Sequence, residues 1–173
     1  LQTQAIKNLP ASLVYLPYKY LPEEPVLSTQ VSIGTSCART YDVAAAKALL
    51  EIVERDAFTI CWESQAAYPP LTPDYITQAL NSLGLSDCPL EFEAYNIATD
   101  LAIPVVMCLI ISPRQAPAIS FGTAAGASWM QATRRAIEEA VTSWRSTEYL
   151  LKAEHGDLLD NFSNKDYSFQ NNS

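Results

Sequence analysis

The segment from Gly34 to Trp62 constrains the fold most, because a polar turn leads there into a long helical pattern, YDVAAAKALLEIVERDAFTICW. Most positions around Glu51 and Glu54 are apolar, which is typical of a buried helix. Residues three apart share one helix face, so these two carboxylates lie together. Buried carboxylates are costly unless a cation meets them. Arg55 stands at i,i+4 from Glu51, whereas Glu54 has no such partner within the helix.

The remaining sequence predicts an alternation of strands and helices. Apolar and β-branched runs predict strands at 12–21, 26–33, 90–99, 103–111 and 118–127. The run 103–111 is apolar almost throughout, as expected of a strand covered on both faces. Further helices are expected at 74–83, where Gly84 ends the helix, and after Ser128, which has capping-box spacing to Gln131. Thr40 or Asp42 is expected to cap the helix that carries Glu51 and Glu54. This order favours an α/β (α+β) fold, a two-layer domain with a mixed sheet packed by two long helices. We expect the domain to cover residues 1–155, and residues 156–173 to form a polar, flexible tail.

The second long helix also carries paired charges, Arg134 with Glu138 and Arg135 with Glu139. One interpretation is structural, since exposed i,i+4 ion pairs are common and contribute about 0.3–0.5 kcal/mol each. The other is a magnesium site at which carboxylates of both long helices hold a nucleoside triphosphate. The sequence contains neither GxxxxGK[ST] nor GxGxxG, so such a site would depend on carboxylates, serine and arginine.

Composition excludes several other classes of function. The net charge of −8 argues against a nucleic-acid partner or an anionic membrane surface, and the longest apolar run, 103–111, is too short to span a membrane. Four scattered cysteines and a single histidine, His155, argue against a zinc site and favour a cytoplasmic protein with reduced thiols. Cys37 at a helix entrance is more typical of a tight turn than of a nucleophile, since no histidine stands near it to activate it.

Four stretches in a fixed order resemble one known family. SIGTSCARTYDVAAAKALLEIVERDAF resembles the signature region of YcaO-domain proteins, in which a small-residue turn leads into a helix reading ALxExxERDAF. LPASLVYLPY, YNIATDLAIPVVMCLII and GTAAGASWMQATRRAIEEAVTSW resemble the segments on either side in the azoline-forming cyclodehydratases of thiazole/oxazole-modified microcin biosynthesis. The resemblance covers roughly residues 9–150.

The resemblance implies an enzyme that uses ATP and Mg²⁺ to activate peptide backbone amides and to convert Cys, Ser or Thr to azolines. It implies a precursor peptide as substrate, a leader-binding partner protein or domain, and a possible homodimer. It assigns metal binding to Glu51, Glu54 and Glu139. The full set of nucleotide-binding residues that it implies is Ser36, Glu51, Glu54, Arg55, Arg135 and Glu139.

Three positions depart from the family pattern, and they keep other functions open. Arg39 replaces a usual glycine of the turn, Thr142 replaces a usual amide side chain, and Trp144 replaces a frequent arginine. Complete domains of the family are also longer, so the chain is expected to be a partial domain. The alternatives are a non-catalytic scaffold or docking fragment, and a YcaO enzyme that makes thioamides or amidines.

Overall fold

The computed structural model describes residues 8–27 and 29–153. The chain divides into two compact units, Leu1–Leu49 and Leu50–Ser173. The elements, in chain order, are α1 (Tyr41–Ser64), α2 (Pro73–Ser82), β1 (Glu91–Asn96), β2 (Val105–Ile111), β3 (Ile119–Ala125) and α3 (Trp129–Ala153).

The three strands form one sheet in the order β1-β2-β3, and both pairings are antiparallel. Cys108 in the central strand pairs with Ala94 on one side and with Gly122 on the other. The α+β class predicted from the sequence is therefore confirmed. The sheet in the described residues is antiparallel rather than mixed, because the two strands expected near the N-terminus do not form.

The two long helices lie on opposite faces of the sheet. In β2, Val106 and Cys108 belong to a core cluster with the small residues of α3, whereas Val105 belongs to a second cluster with Ala57 of α1. Successive residues of a strand point to opposite faces, so one helix covers each face. The arrangement differs from the predicted two layers, since β2 is apolar on both sides and both sides are covered.

Helix α3 approaches the sheet closely because small residues line the contact. Ala132, Ala136 and Ala140 recur at i,i+4 and are fully buried. A Cβ atom added to Gly122 would collide with the backbone of Ala136 and Ala140. Glycine at this position of β3 therefore allows the helix backbone to pack directly on the strand.

The predicted strands at 12–21 and 26–33 are wrong. A short 3₁₀ helix, Ala11–Leu13, replaces the start of the first one. The main chain of Tyr18 pairs with the side-chain amide of Gln30 instead of with a strand: its N–H donates at 2.8 Å and its C=O accepts at 2.6 Å. Pro17 has no N–H to donate to a strand ladder, which disfavours strand pairing at this point.

Helix α1 is less buried than its composition predicts. Of its residues only Glu54 and Ala57 are buried, and large side chains such as Ile52 and Trp62 remain exposed. One stripe of the helix packs on the sheet, and the described part of the chain leaves its other sides uncovered. The prediction of a helix buried all round is wrong for these residues.

The helix boundaries follow the predicted signals. The hydroxyl of Thr40 accepts a hydrogen bond from the N–H of Val43 at 3.4 Å, at the start of α1. At the start of α3, Ser128 accepts from the N–H of Gln131, whose side chain accepts in turn from the N–H of Ala127. No helix in residues 8–27 and 29–153 is long and apolar enough to cross a membrane. His155 and the expected tail at 156–173 lie outside the described residues.

Candidate functional site

The free edge of β3 is where the charged side chains of both long helices meet. Thr123 and Ala125 turn their main-chain polar groups away from β2, towards this edge. The N–H of Thr123 donates to Glu139 Oε2 at 3.2 Å, and the N–H of Ala125 donates to Glu54 Oε2 at 3.3 Å. Arg135 completes the set by donating from a guanidinium nitrogen to the C=O of Ala125 at 3.1 Å.

Glu54 is the most buried charged group of this edge, with an exposed fraction of 6%. Its Oε1 accepts a hydrogen bond from the hydroxyl of Thr123 at 2.9 Å, and Arg55 lies 4.0 Å from the same oxygen. Burial raises the pKa of Glu54 above its ordinary value, and the nearby charge of Glu139 raises it further. The hydrogen bonds from Thr123 and Ala125 and the charge of Arg55 oppose that rise.

This arrangement favours a cation that joins the two carboxylates. Two like charges in a poorly solvated place repel each other, and a divalent cation between them would remove that cost. Carboxylate oxygens suit Mg²⁺, which usually takes one or two carboxylates and completes its shell with phosphate oxygens and water. The donor chemistry of Glu54 and Glu139 therefore fits Mg²⁺. Among the described residues, no group of three or more ligating side chains comes together.

The other residues assigned by the resemblance are placed less centrally. Glu51 is half-buried on α1, and its side chain forms no hydrogen bond or ion pair with another described residue. Arg55 is half-exposed and lies 4.0 Å from Glu54, whereas Arg135 is exposed and donates to the main chain of β3. Ser36 is exposed in the unit Leu1–Leu49. Metal binding by Glu51, Glu54 and Glu139 stays a prediction.

The expected i,i+4 ion pairs do not form. Between described residues the ion pairs are Arg55 with Glu54 and Lys152 with Glu148. Arg135 and Glu139 each bond the backbone of β3 instead of each other. The predicted Arg135–Glu139 ion pair is therefore wrong, because an unpaired strand edge offers both charges fixed hydrogen-bonding groups.

Thr123 was not identified from the sequence, although it contacts both carboxylates. The signal is slight: a single hydroxyl residue in the small-residue stretch GTAAGA. Its importance depends on β3 being an edge strand, which only the pairing of the sheet reveals.

Two of the depressions on the unit Leu50–Ser173 adjoin the long helices. One, of about 400 Å³, lies at the start of α3, where Met130 stands beside Ser128, Gln131, Arg134, Arg135 and Glu138. The other, of about 310 Å³, is apolar and includes the stacked rings of Phe58 and Phe121, whose centroids are 5.4 Å apart. Arg135 therefore links the first depression to the acidic edge.

Comparison with known proteins decides the family. The chain matches, over residues 1–171, the family model described as YcaO cyclodehydratase, ATP- and Mg²⁺-binding. The chain belongs to the YcaO family. No curated protein matches it.

Several solved structures share the YcaO fold with this chain. YcaO from Methanopyrus kandleri, bound with AMPPCP and Mg²⁺, superposes with a TM-score of 0.66 at 21% identity, over 81% of this chain and 37% of that one. The heterocyclase TruD superposes with a TM-score of 0.63 at 21% identity, over 84% of this chain and 21% of that one. A chain of the E. coli microcin synthetase McbBCD complex with pro-MccB17 bound superposes with a TM-score of 0.60 at 18% identity, over 74% of this chain and 34% of that one.

These similarities establish the fold and leave the activity open, because the sequences have diverged widely. The chain spans 21–37% of the length of these three structures.

Proposed function

We propose that this chain contributes the Mg²⁺-ATP-binding part of a YcaO enzyme that activates peptide backbone amides and cyclodehydrates Cys, Ser or Thr to azolines. The convergence of Glu54 and Glu139 on the free edge of β3 carries this proposal. The family description, which includes ATP and Mg²⁺, supports the same chemistry.

In this proposal the acidic edge holds the cation and the arginines hold the phosphates. Glu54 and Glu139 each present a carboxylate that the strand edge already orients, which lowers the entropic cost of binding. Arg135 borders both this edge and the depression at the start of α3, and we therefore expect its guanidinium to meet phosphate oxygens. Arg55 and Ser36 are assigned the same task by the resemblance, and Glu51 would add a further oxygen ligand.

The reaction needs a good leaving group, because an amide oxygen is a poor one. When bound, Mg²⁺-ATP supplies the phosphoryl group that the amide oxygen accepts. The substrate's own thiol or hydroxyl adds to the carbonyl carbon and loses its proton, and the oxygen then departs as phosphate while the amide nitrogen loses its proton and the C=N bond forms. The peptide therefore loses one water per ring, and ATP becomes ADP.

Calorimetric titration of the chain with Mg²⁺-ATP tests the binding step. We expect Glu54→Gln and Glu139→Gln each to weaken binding by about tenfold or more, because each removes one charged ligand. Both changes keep the size of the side chain, and the glutamine amide still accepts one hydrogen bond from the strand. Glu148→Gln is the control, since Glu148 pairs with Lys152 at the far end of α3. No binding by the unaltered chain, or equal affinity in all three variants, contradicts the proposal.

A second candidate, a non-catalytic YcaO scaffold or docking fragment, is favoured by two departures from the family pattern. Trp144 is buried, and its indole N–H donates to the C=O of Pro117 at 2.9 Å. The hydroxyl of Thr142 donates within its own helix, to the C=O of Glu138 at 2.8 Å. Neither residue is arranged as a phosphate ligand. Mass spectrometry of a candidate precursor peptide separates the two candidates, since only the enzyme removes one water per modified residue.

The same mass-spectrometric experiment distinguishes azoline formation from thioamide or amidine formation. A thioamide or amidine product would differ from an azoline in mass and in its need for an external sulfide or amine. We propose a peptide substrate and a separate leader-binding partner because the microcin synthetase to which the chain is similar is a complex with pro-MccB17 bound. A homodimer and a cytoplasmic location remain predictions, the latter resting on the four free cysteines.

A further inference from the structure

Thr123 is the one described residue that contacts both carboxylates of the acidic edge. Its hydroxyl donates to Glu54 at 2.9 Å and its main-chain N–H donates to Glu139 at 3.2 Å. Its exposed fraction is 2%, and the bond to Glu54 is buried while the bond to Glu139 is partly buried. Hydrogen bonds to charged acceptors in such places are stronger than those between neutral groups.

The two glutamates come from helices on opposite faces of the sheet, so the helices do not set the spacing of the carboxylates by packing on each other at this point. Their common reference is the edge of β3. Threonine is branched at Cβ and therefore stiff at χ1, which fixes the direction of its hydroxyl. A glutamate has three side-chain torsions, and the hydroxyl of Thr123 restrains those of Glu54.

Two glycines, one in β3 and one directly after it, allow the chain to pack closely on α3. The direct contact of Gly122 with α3 fixes the distance between the helix and the strand backbone next to Thr123. At the other end of the segment, a Cβ atom on Gly126 would lie 2.8 Å from the N atom of Ala132, so the chain is pressed against α3 there as well. Thr123 thus lies on a stretch of strand with little freedom to shift.

We infer that Thr123 is a positioning residue, whose hydroxyl holds the Glu54 carboxylate beside that of Glu139 so that both bind one divalent cation. This inference rests on the proposed function, and it adds a residue that the sequence motifs do not assign. Groups that orient ligands without touching the metal typically change its affinity by about 10- to 100-fold when they are removed.

Thr123→Val tests the inference, because valine keeps the branched shape and removes the hydroxyl. Mn²⁺ serves as the probe, and the EPR signal of free Mn²⁺ with the full chain and ATP, compared with the signal at the same ATP concentration without the chain, reports the fraction that the chain binds. We expect Thr123→Val to weaken Mn²⁺ binding at least about tenfold. Thr123→Ser, which restores the hydroxyl without the methyl group, should recover most of the affinity.

Thr133→Val is the matched control. Thr133 is fully buried and donates its hydroxyl to the C=O of Trp129 at 2.8 Å, inside α3 and away from any carboxylate. We expect this variant to bind Mn²⁺ as the unaltered chain does. If Thr123→Val does not fold, Thr123→Ala provides a second variant without the hydroxyl, compared in the same way with Thr123→Ser.

The outcomes separate the two proposals. If Glu54→Gln loses Mn²⁺ while the hydroxyl-free variants retain it, the role of Thr123 is overturned and the acidic site stands. A serine variant as weak as valine also overturns that role, since packing rather than the hydroxyl would then decide. If the unaltered chain does not bind Mn²⁺, both proposals fail together.

Discussion

Gly122→Ala offers a sharp prediction, because we expect it to destabilise the protein, whereas replacing glycine by alanine usually stabilises one. Replacing glycine by alanine in an ordinary strand conformation generally stabilises a protein by about 0.4–1 kcal/mol. Here the added methyl group would collide with the backbone of Ala136 and Ala140, and a backbone cannot turn aside as a side chain can. Overpacking of this kind costs about 1–3 kcal/mol, so we expect a net loss of stability.

Thermal unfolding monitored by circular dichroism measures this effect. For a chain of this size, a loss of about 1–3 kcal/mol lowers the melting temperature by about 2–12 °C. Because the atoms met are main-chain atoms, the double variant Gly122→Ala with Ala140→Gly should be no more stable than the single one. A single variant as stable as the unaltered chain would show that β3 and α3 do not pack as closely as the structure has them.

Three further predictions concern buried groups. Burial raises the pKa of Glu54, so its favourable contribution to folding is present below about pH 4.5, the ordinary value, and is lost as the pH rises through the raised pKa. Over that pH window the free energy of unfolding should therefore fall relative to that of Glu54→Gln. Parallel pH profiles of the two proteins in urea denaturation would contradict this. Burial raises the pKa of the Cys108 thiol to about 12, so iodoacetamide at pH 8 should label the exposed Cys37 well before Cys108. Peptide mass mapping measures the two labelling rates, and equal rates would refute the burial of β2. Trp144→Phe removes the indole hydrogen bond to Pro117 and should lower the free energy of unfolding by at least about 1 kcal/mol, as measured by urea denaturation. An unchanged midpoint would be incompatible with that bond.

The sequence predicted the ends of the helices well, because their signals are local. The capping residues Thr40 and Ser128 act at the starts of α1 and α3 as expected. Gly84, predicted to end a helix, follows α2 with a φ of 68°. Proline and glycine signals of this kind depend on a few neighbouring residues and survive any tertiary arrangement.

Tertiary relations were harder to predict. The run Val105–Ile111 is apolar at every position, and this indicated a strand covered on both faces, yet it did not say which helix covers which face. The apolar pattern of α1 predicted full burial, although only one stripe packs on the sheet. Hydrophobicity marks surfaces that need a partner, and the identity of the partner is a long-range property.

The candidate site was partly predictable for the same reason. Glu54, Glu139 and Arg135 were selected by motif, and the structure brings all three to the edge of β3. Thr123 was missed because edge position follows from strand order, which no short motif encodes. Glu51 shares the helix of Glu54, but its side chain forms no hydrogen bond with β3, so its assignment to the site rests on the motif alone.

The location of the bound cation is the most direct test of the central proposal. Mn²⁺-ATP broadens the NMR signals of nearby amide protons, and the amides of Thr123 and Ala125 donate directly to the two carboxylates. We expect these two signals to broaden strongly in the unaltered chain and to remain sharp in Glu54→Gln at the same Mn²⁺-ATP concentration. Broadening that persists in Glu54→Gln, or that spares Thr123 and Ala125 in the unaltered chain, would contradict a metal site between Glu54 and Glu139.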